Sequence, residues 1–272
     1  MGYIRSIAPL ENYHLFLEID VYKRQDFDPL EDEPDVLLRY VGRGTPLGNP
    51  DLIIVPGSKN TIEDLAHIRK TGLADEICAL SQKGVPVIGI CGGYQILGKE
   101  LHDPLHTESK ISCLQGLGLL NVVTTFAQEK VTTQVEAKVC GTELMGKDVV
   151  GAMVAGYEIH MGISQLGEGV VPAFEIVRRL GESVNFYDGA VREDGLVWGT
   201  YIHGVFDEVS FRRALINSLR VKKGLAPLSE KASLSAWEQR QRDYDRLGET
   251  VRGSLDMEKL YALLGLCPGK SS

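Results

Sequence analysis

One cysteine of this chain lies between glycines at the end of an apolar run, in the segment PVIGICGGYQILG. Gly89 and Gly93 flank Cys91 at two residues on either side. The continuous apolar residues before the cysteine predict a strand buried on both faces, and the residues after it predict a helix. This spacing is typical of a strand-to-helix elbow, in which larger flanking side chains would clash and the central side chain is exposed at the sheet edge.

A thiol in this position is well placed for nucleophilic attack. It precedes a predicted helix, whose unpaired N–H groups and dipole favour the thiolate. The backbone N–H of Gly92 would point at an oxyanion formed on attack. A buried structural cysteine is the alternative, but such a residue needs no paired glycines, so we interpret Cys91 as the nucleophile. The remaining cysteines have no such surroundings and are interpreted as structural: Cys78, Cys113, Cys140 and Cys267.

A thiol nucleophile needs a base, and His203 is preferred among the six histidines. It ends a predicted strand in VWGTYIHGVFD, at a sheet edge where active sites of α/β proteins gather. His160 in GYEIHMG is its rival, and Glu158 shares the same strand face. A functional and a purely structural role both stay open for this pair. His102 and His106 have the spacing of a metal pair, but a proline interrupts any helix between them, and no metal site is predicted.

A second glycine-containing loop, VPGSKN, follows another predicted parallel strand. It would lie beside the elbow, where Gly57 or Ser58 could supply a second oxyanion donor. A simple strand-to-helix turn with Asn60 as the helix cap explains the same residues, and the two interpretations are compatible. We also assign Tyr94 and Gln95, which follow the elbow, to substrate binding.

The elements that position these residues alternate between strands and helices. Two β-rich runs, 35–41 and 51–57, precede a helical pattern over 60–82 that Gly72 divides, and an apolar strand follows at 85–90. Strand, helix and strand at this spacing predict a right-handed parallel crossover, and therefore an α/β fold. Residues 117–205 are richer in strands.

Three regions are predicted along the chain. Residues 1–25 are interpreted as a non-native leader, because DVYKRQ resembles a translated adapter sequence and the preceding residues show only a weak pattern. Residues 26–225 form the main domain. Residues 226–272 are interpreted as a C-terminal helical tail that packs on this domain, with a partner-docking role left open.

Composition excludes several classes of protein. The formal net charge of −8 and the pI near 5.3 argue against a nucleic-acid partner, which requires clustered Lys and Arg. No apolar run reaches the ~18 residues of a membrane span, and the N-terminus lacks a signal peptide's apolar stretch. Five scattered cysteines without a C-x-x-C pair fit a reducing compartment. We therefore expect a cytoplasmic protein without nucleic-acid or membrane partners.

The segments GICGGYQILG, GYEIHMG and GTYIHGVFD resemble the class I glutamine amidotransferases, and most narrowly the glutaminase domains of the cobyric acid synthase family. DFDPLEDEPDVLLRYV, LIIVPGSKNTIEDL and YDRLGETVRGSLDMEKLYALL are also similar to that family, so the likeness covers residues 26–265. It implies a three-layer α/β fold, flavodoxin-like, whose sheet has mostly parallel strands, a nucleophile elbow and a C-terminal helical tail.

The resemblance implies that Cys91 attacks the side-chain amide of glutamine and that His203 moves the protons. Ammonia would pass to a synthetase domain or subunit that uses ATP and magnesium to amidate carboxylates of a corrinoid, adenosylcobyrinate a,c-diamide. That domain is interpreted as missing, because the sequence contains no G-x-x-x-x-G-K-[ST] loop, and we expect no cofactor in the present domain. Class I members carry H-x-E, whereas Val205 stands in the third position, and Glu158 is our hypothesis for the orienting carboxylate.

Alternatives within the class are the glutaminase of a cobyrinate a,c-diamide synthase or of a lipid II amidotransferase. A cysteine hydrolase of the same fold would explain Cys91 and His203 without glutamine. A non-catalytic binding module with a decayed site is a third class.

Overall fold

A computed structural model describes residues 13–17, 25–41, 45–140, 144–145, 149–233 and 235–265. The helices described are α1 Asp28–Glu31, α2 Thr61–Lys70, α3 Leu73–Gln82, α4 Gly92–Leu97, α5 Val209–Lys222, α6 Ala236–Ser254 and α7 Met257–Leu263. The strands described are β1 Tyr13–Leu17, β2 Val36–Tyr40, β3 Leu52–Val55, β4 Val87–Ile90, β5 Glu100–His102, β6 Cys113–Gln115, β7 Val122–Val139, β8 Met153–Leu166, β9 Val170–Val171, β10 Phe174–Arg179, β11 Glu182–Asp188, β12 Ala190–Arg192, β13 Val197–Thr200 and β14 Ile202–His203.

The first sheet has the strand order β2-β1-β3-β4-β13-β12-β9. Its first five strands are parallel, and β12 and β9 continue it in antiparallel pairing. β3, the helices α2 and α3, and β4 form the predicted parallel crossover. Because β4 and β13 are parallel neighbours, the chain segments that follow their carboxyl ends, which contain the elbow and His203, leave the sheet at one edge.

Side chains of the parallel strands alternate between two cores on opposite faces of this sheet. Ile54 of β3 and Ile88 of β4 belong to a core that contains Phe211 and Leu215 of α5. Ile53 and Val55 of β3 instead pack with α2 and α3 residues: Ile62, Leu65, Ile68, Leu73 and Ile77. The sheet therefore lies between two helical layers, as the fold expectation required.

The strand-rich middle of the chain builds a second sheet. Its main path is β11-β10-β7-β5-β6, and β8 pairs with both β7 and β14. β7 and β8 are long antiparallel partners whose register shifts between Phe126 and Val131. β14 carries His203 and pairs with Tyr157 of β8, so the second sheet supplies one wall around the histidine.

A buried ion network holds Glu33 and Asp35, which precede β2, against α5. Arg213 of α5 donates to Glu33 at 2.7 Å and to both carboxylate oxygens of Asp35 at 2.8 and 2.9 Å. Arg212 donates to Glu33 at 2.6 Å, and all of these residues are buried. Charges taken out of water require this degree of pairing, and the network consequently fixes the segment that precedes β2.

The chain forms two compact units, residues 1–233 and 234–272. In the second unit, α6 begins at a capping box of Ser235 and Glu238, and Asp256 caps α7. Helices are therefore present in the predicted tail, whereas its packing stays a prediction. No helix in the described ranges combines the length and apolar composition that a bilayer crossing needs.

Part of the segment interpreted as a leader lies in the first sheet. Residues 13–17 form β1, in parallel pairing with β2 and β3. Of the remaining residues of 1–25, all but Gln25 lie outside the described part of the chain. The predicted domain boundaries therefore stay predictions.

Candidate active site

The elbow forms where it was predicted. β4 ends at Ile90 and α4 begins at Gly92, and Cys91 between them has φ 51° and ψ −111°. A positive φ is rare for a residue with a side chain, and such strain is concentrated at functional sites. A Cβ on Gly93 would lie 1.9 Å from the carbonyl oxygen of Val55, so only glycine allows the elbow to approach β3 this closely.

The loop that contains Gly57 and Ser58 lies directly beside the elbow, as predicted. The backbone nitrogen of Ser58 is 2.8 Å from the position that a Cβ on Gly92 would occupy. Asn60 caps α2 by accepting a hydrogen bond from the backbone N–H of Glu63 at 3.1 Å. Thus the capping and the proximity to the elbow occur together, and the assignment of Gly57, Ser58 and Gly92 to an oxyanion site stays a prediction.

His203 contacts the Cys91 side chain, so the structure brings the two predicted catalytic residues together. Interaction with Cys91 is one of the causes that raise the pKa of the histidine. The thiol also donates to the carbonyl oxygen of Ile159 on β8 at 3.3 Å. Tyr157 of β8 stacks on the histidine ring, with the ring centroids 5.1 Å apart and the planes at 12°. Both side chains are largely shielded from bulk water, with relative exposures of 6% for Cys91 and 4% for His203.

The carboxylate that orients His203 is Asp26, which the sequence analysis missed. Its Oδ2 lies 2.6 Å from Nδ1 of the imidazole, and its Oδ1 accepts from the backbone N–H of Gly204 at 3.2 Å. Asp26 is buried and precedes the segment held by the ion network with α5. In the sequence, Asp26 is marked only by its segment, DFDPLEDEPD, which is one of those that resemble the family. No spacing pattern connects it to a histidine so far along the chain.

The hypothesis that Glu158 orients His203 is therefore wrong. Successive residues of a strand point to opposite faces, and Tyr157 occupies the face that meets the histidine ring. Glu158 instead accepts from Arg179 at 2.7 Å. Although burial acts to raise it, the hydrogen bond from Arg179 and the nearby His160 ring hold the pKa of Glu158 below its usual value.

Two opposing effects act on the pKa of His203. Burial alone would lower it, because the charged imidazolium loses its hydration. The hydrogen bond with Asp26 and the interactions with Asp26 and Cys91 outweigh this effect and raise the pKa to about 9. The imidazolium is therefore the form present at neutral pH, and it can stabilise a negative charge on the adjacent sulfur.

His160 lies in a separate polar cluster. Its ring stacks on Tyr201 at 3.9 Å between centroids, and its Nδ1 contacts the carbonyl oxygen of Gly162 at 2.9 Å. Its Nε2 is 3.8 Å from Glu158. The structure thus pairs these two residues with one another, as their shared strand face suggested, and a role for them in the reaction stays a prediction.

Tyr94 and Gln95 are both buried below the elbow. Gln95 accepts from Thr61 at 2.9 Å and donates to the hydroxyl of Tyr201 at 3.3 Å. The Tyr94 ring meets the edge of the Tyr201 ring with the centroids 5.1 Å apart. These contacts give both residues a packing role, and their assignment to substrate binding stays a prediction.

A mixed group of possible metal ligands lies on the β5–β6 hairpin. The ligand atoms of Glu100, His102 and Cys113 are within 4.8 Å of one another, and Cys113 is exposed. Glu100 already accepts from His102 at 3.0 Å and from Gln115 at 3.3 Å. His106, the partner considered for His102, instead contacts the carbonyl oxygen of Ser109. No metal is assigned to these residues, and the expectation of none stays a prediction.

Comparison with known proteins agrees with this geometry. Residues 14–211 match the CobB/CobQ-like glutamine amidotransferase domain. The chain is 50% identical over 247 residues to a cobyric acid synthase of Pelotomaculum thermopropionicum and 48% identical over 241 residues to one of Clostridium botulinum. These matches cover 90% and 89% of this chain but only 47% of either relative, so the chain spans about half of their length.

Solved structures support the fold. The structure of PurLQS from Thermotoga maritima matches with a TM-score of 0.58 at 19% identity, over 76% of this chain and 99% of the other. A crystal structure of a glutamine amidotransferase matches with a TM-score of 0.51 at 17% identity, over 75% and 98%. The expected fold class is therefore confirmed. The family match over residues 14–211 shows that the chain belongs to the CobB/CobQ-like glutamine amidotransferase family.

Proposed function

We propose that this chain hydrolyses glutamine and supplies the ammonia for an ATP-dependent amidation of corrinoid carboxylates, as the amidotransferase part of a cobyric acid synthase. One observation carries the chemical half of this proposal: Cys91 at a strained elbow contacts His203, which is held by Asp26. The biosynthetic part of the proposal is supported by the cobyric acid synthases, which align with this chain over about half of their own length.

The reaction begins when the thiol proton of Cys91 passes to His203, which leaves the imidazolium beside the sulfur. The sulfur attacks the carboxamide carbon of glutamine, and a carbon–sulfur bond forms as the carbonyl electrons move to oxygen. We assign stabilisation of that oxyanion to the backbone N–H of Gly92 and to the amides of the Gly57–Ser58 loop, which lies beside the elbow. The helix that begins at Gly92 adds the positive end of its dipole.

Collapse of the tetrahedral intermediate breaks the carbon–nitrogen bond. His203 donates its proton to the departing nitrogen, ammonia leaves, and a γ-glutamyl thioester remains on Cys91. Neutral His203 then accepts a proton from water, whose oxygen attacks the thioester and releases glutamate. Asp26 keeps Nδ1 of the imidazole protonated, so that the other ring nitrogen faces the sulfur throughout.

ATP, magnesium and the corrinoid are assigned to the half of the relatives that this chain does not match. The sequence contains no G-x-x-x-x-G-K-[ST] loop that would cradle ATP phosphates. We therefore route no step of the amidation through the described residues. Their part is to bind glutamine, to hold the thioester and to release ammonia.

The direct test is covalent trapping of the purified chain with a chloroketone analogue of glutamine, followed by mass spectrometry. We expect one adduct on Cys91, protection by free glutamine, and no adduct in Cys91→Ser. The Cys113→Ser variant is the matched control, because Cys113 is exposed and lies outside the elbow. If free glutamine does not slow the trapping and the chain cleaves peptides, the protein is instead a cysteine hydrolase.

A further inference from the structure

An apolar row covers the outward face of β8. Alternate residues of this strand share a face, and the row consists of Met153, Ala155, Tyr157, Ile159, Met161 and Ile163. Ile163 is 63% exposed, Met153 44% and Tyr157 39%, whereas Val154 and Glu158 on the other face are buried. An antiparallel strand with one solvated face normally places polar residues outward, so this row has the character of an interface.

Polar residues border the row along β7. Thr132 pairs with Ile159, Gln134 with Tyr157, Glu136 with Ala155 and Lys138 with Met153, so each lies beside the row on the same face. Thr132, Gln134 and Lys138 are exposed, which confirms that this face of the ribbon meets solvent. An apolar strip with a polar border is the usual arrangement of a protein–protein docking surface.

The row adjoins the catalytic residues. Tyr157 stacks on the ring of His203, and the carbonyl of Ile159 accepts from the thiol of Cys91. A partner seated on the row therefore lies against the catalytic pair. Such a partner would exclude bulk water from the place where the thioester forms and ammonia leaves. A docking surface far from Cys91 and His203 would not have this effect.

We propose that the apolar row of β8 is the docking surface for the half of cobyric acid synthase that this chain does not match. This inference rests on the proposed function, which requires ammonia to reach a second site. The occupant follows from length: the relatives are about twice as long as the segment they share with this chain. A synthetase half joined to this chain is held at high effective concentration and has to collect ammonia beside Cys91.

The test joins the unmatched half of the Pelotomaculum thermopropionicum relative to the N-terminus of this chain and compares it with the chain alone by hydroxyl-radical footprinting. Met and Tyr side chains oxidise readily, so Met153, Tyr157 and Met161 report directly on the row. We expect their oxidation to fall several-fold in the joined protein. Tyr187 is the internal control, because it is 62% exposed on β11 and outside the row, and its oxidation should not change.

A variant pair makes the test specific. Ile163→Glu should restore oxidation of Met153 and Met161 in the joined protein, whereas Tyr187→Glu, at nearly the same exposure, should not. Unchanged oxidation of the row on joining, or protection that Ile163→Glu leaves intact, would overturn the proposal. Protection already present in the chain alone, with a dimer in sedimentation, would assign the row to a second copy.

Failure of docking and failure of the proposed function are distinguishable. The glutamine chloroketone reports on Cys91 whether or not the row is covered, and Ile163 lies outside the catalytic residues. If the analogue labels Cys91 but joining leaves the row unprotected, only the docking surface is wrong. If the row is protected and the analogue does not react, the glutaminase proposal is wrong and the surface remains.

Discussion

Oδ2 of Asp26 lies 2.6 Å from Nδ1 of His203, although 177 positions separate the two residues in the chain. This contact supplies the carboxylate that the missing H-x-E glutamate would supply, since Val205 occupies that position. The acid comes from the segment before β2, and the histidine from a strand of the second sheet. The proposed catalytic triad of Cys91, His203 and Asp26 is thus drawn from three separate parts of the sequence.

Removing the Asp26 charge should slow the thiol chemistry strongly. In Asp26→Asn the imidazole loses its orienting acceptor, and we expect the rate of Cys91 acylation by the glutamine analogue to fall about 10²- to 10⁴-fold. Stopped-flow or quenched mass spectrometry measures that rate. Glu31→Gln is the matched control, because it removes the same charge at an exposed position five residues away and should react as the wild type does. A wild-type rate in Asp26→Asn would contradict the triad.

The titration of His203 should appear far above the usual histidine range. We expect the ring signals in heteronuclear NMR to titrate at about 9 in the wild type and at a lower pH in Asp26→Asn, since Asp26 is one cause of the raised pKa. The pKa of His203 is higher in the folded than in the unfolded chain. At pH values below the unfolded-state pKa, this group therefore contributes its full stabilisation to the fold. That stabilisation is lost as the pH rises through about 9. A wild-type midpoint near 6.5 would refute this account.

The stability that His203 contributes to the fold should be lost at alkaline pH, and urea unfolding between pH 6 and 10 measures this loss. The wild type should lose more stability over that interval than Asp26→Asn does, because the variant has a smaller shift to lose. Parallel curves for the two proteins would mean that Asp26 does not set the pKa.

Adding a methyl group at Gly93 should disrupt the elbow. The new Cβ would lie 1.9 Å from the carbonyl oxygen of Val55, which is backbone and cannot rotate away. We expect Gly93→Ala to lower the free energy of unfolding by at least about 2 kcal/mol and to abolish trapping at Cys91. Gly248→Ala is the control, because no heavy atom lies within 4 Å of its Cβ position in α6. Its helix should become more stable by about 0.5–1 kcal/mol, as thermal unfolding by circular dichroism would show.

Breaking the ion network of α5 should cost stability and activity together. Arg213→Met leaves Glu33 and Asp35 buried without that partner, and we expect a loss of about 3–5 kcal/mol in urea unfolding. Trapping at Cys91 should also slow, because the network fixes the segment that begins at Asp26. Arg178→Met removes an exposed pair with Glu136 at 3.6 Å and should cost less than about 1 kcal/mol. Equal losses in the two variants would show that burial does not govern this network.

Local pattern was sufficient for the elements that carry the nucleophile. The apolar run 85–90, the glycines around Cys91 and the VPGSKN loop each specify a short-range geometry, and the structure has that geometry. The pairing of Cys91 with His203 also followed from sequence, because strand ends of a parallel sheet meet at one edge. Such features depend on neighbouring residues or on a general rule of sheet topology.

The choice between Asp26 and Glu158 could not be made in this way. Both are carboxylates near motifs of the resemblance, and the strand pattern correctly placed Glu158 on the same face as His160. What decided against Glu158 was the register of β8 on β14, which turns Tyr157 toward the histidine ring. What selected Asp26 was a contact between segments far apart in the chain, since Asp26 and His203 are separated by 177 positions.

The sequence by itself determined a strained thiol between glycines, a histidine at a strand end and an α/β sheet that brings them to one edge, because periodicity and steric limits act over a few residues. Only the tertiary structure decided which acid completes the triad and which face of β8 is left apolar and exposed beside it. Long-range packing and strand register set both, and a one-residue difference in register exchanges every side chain between the two faces of a strand.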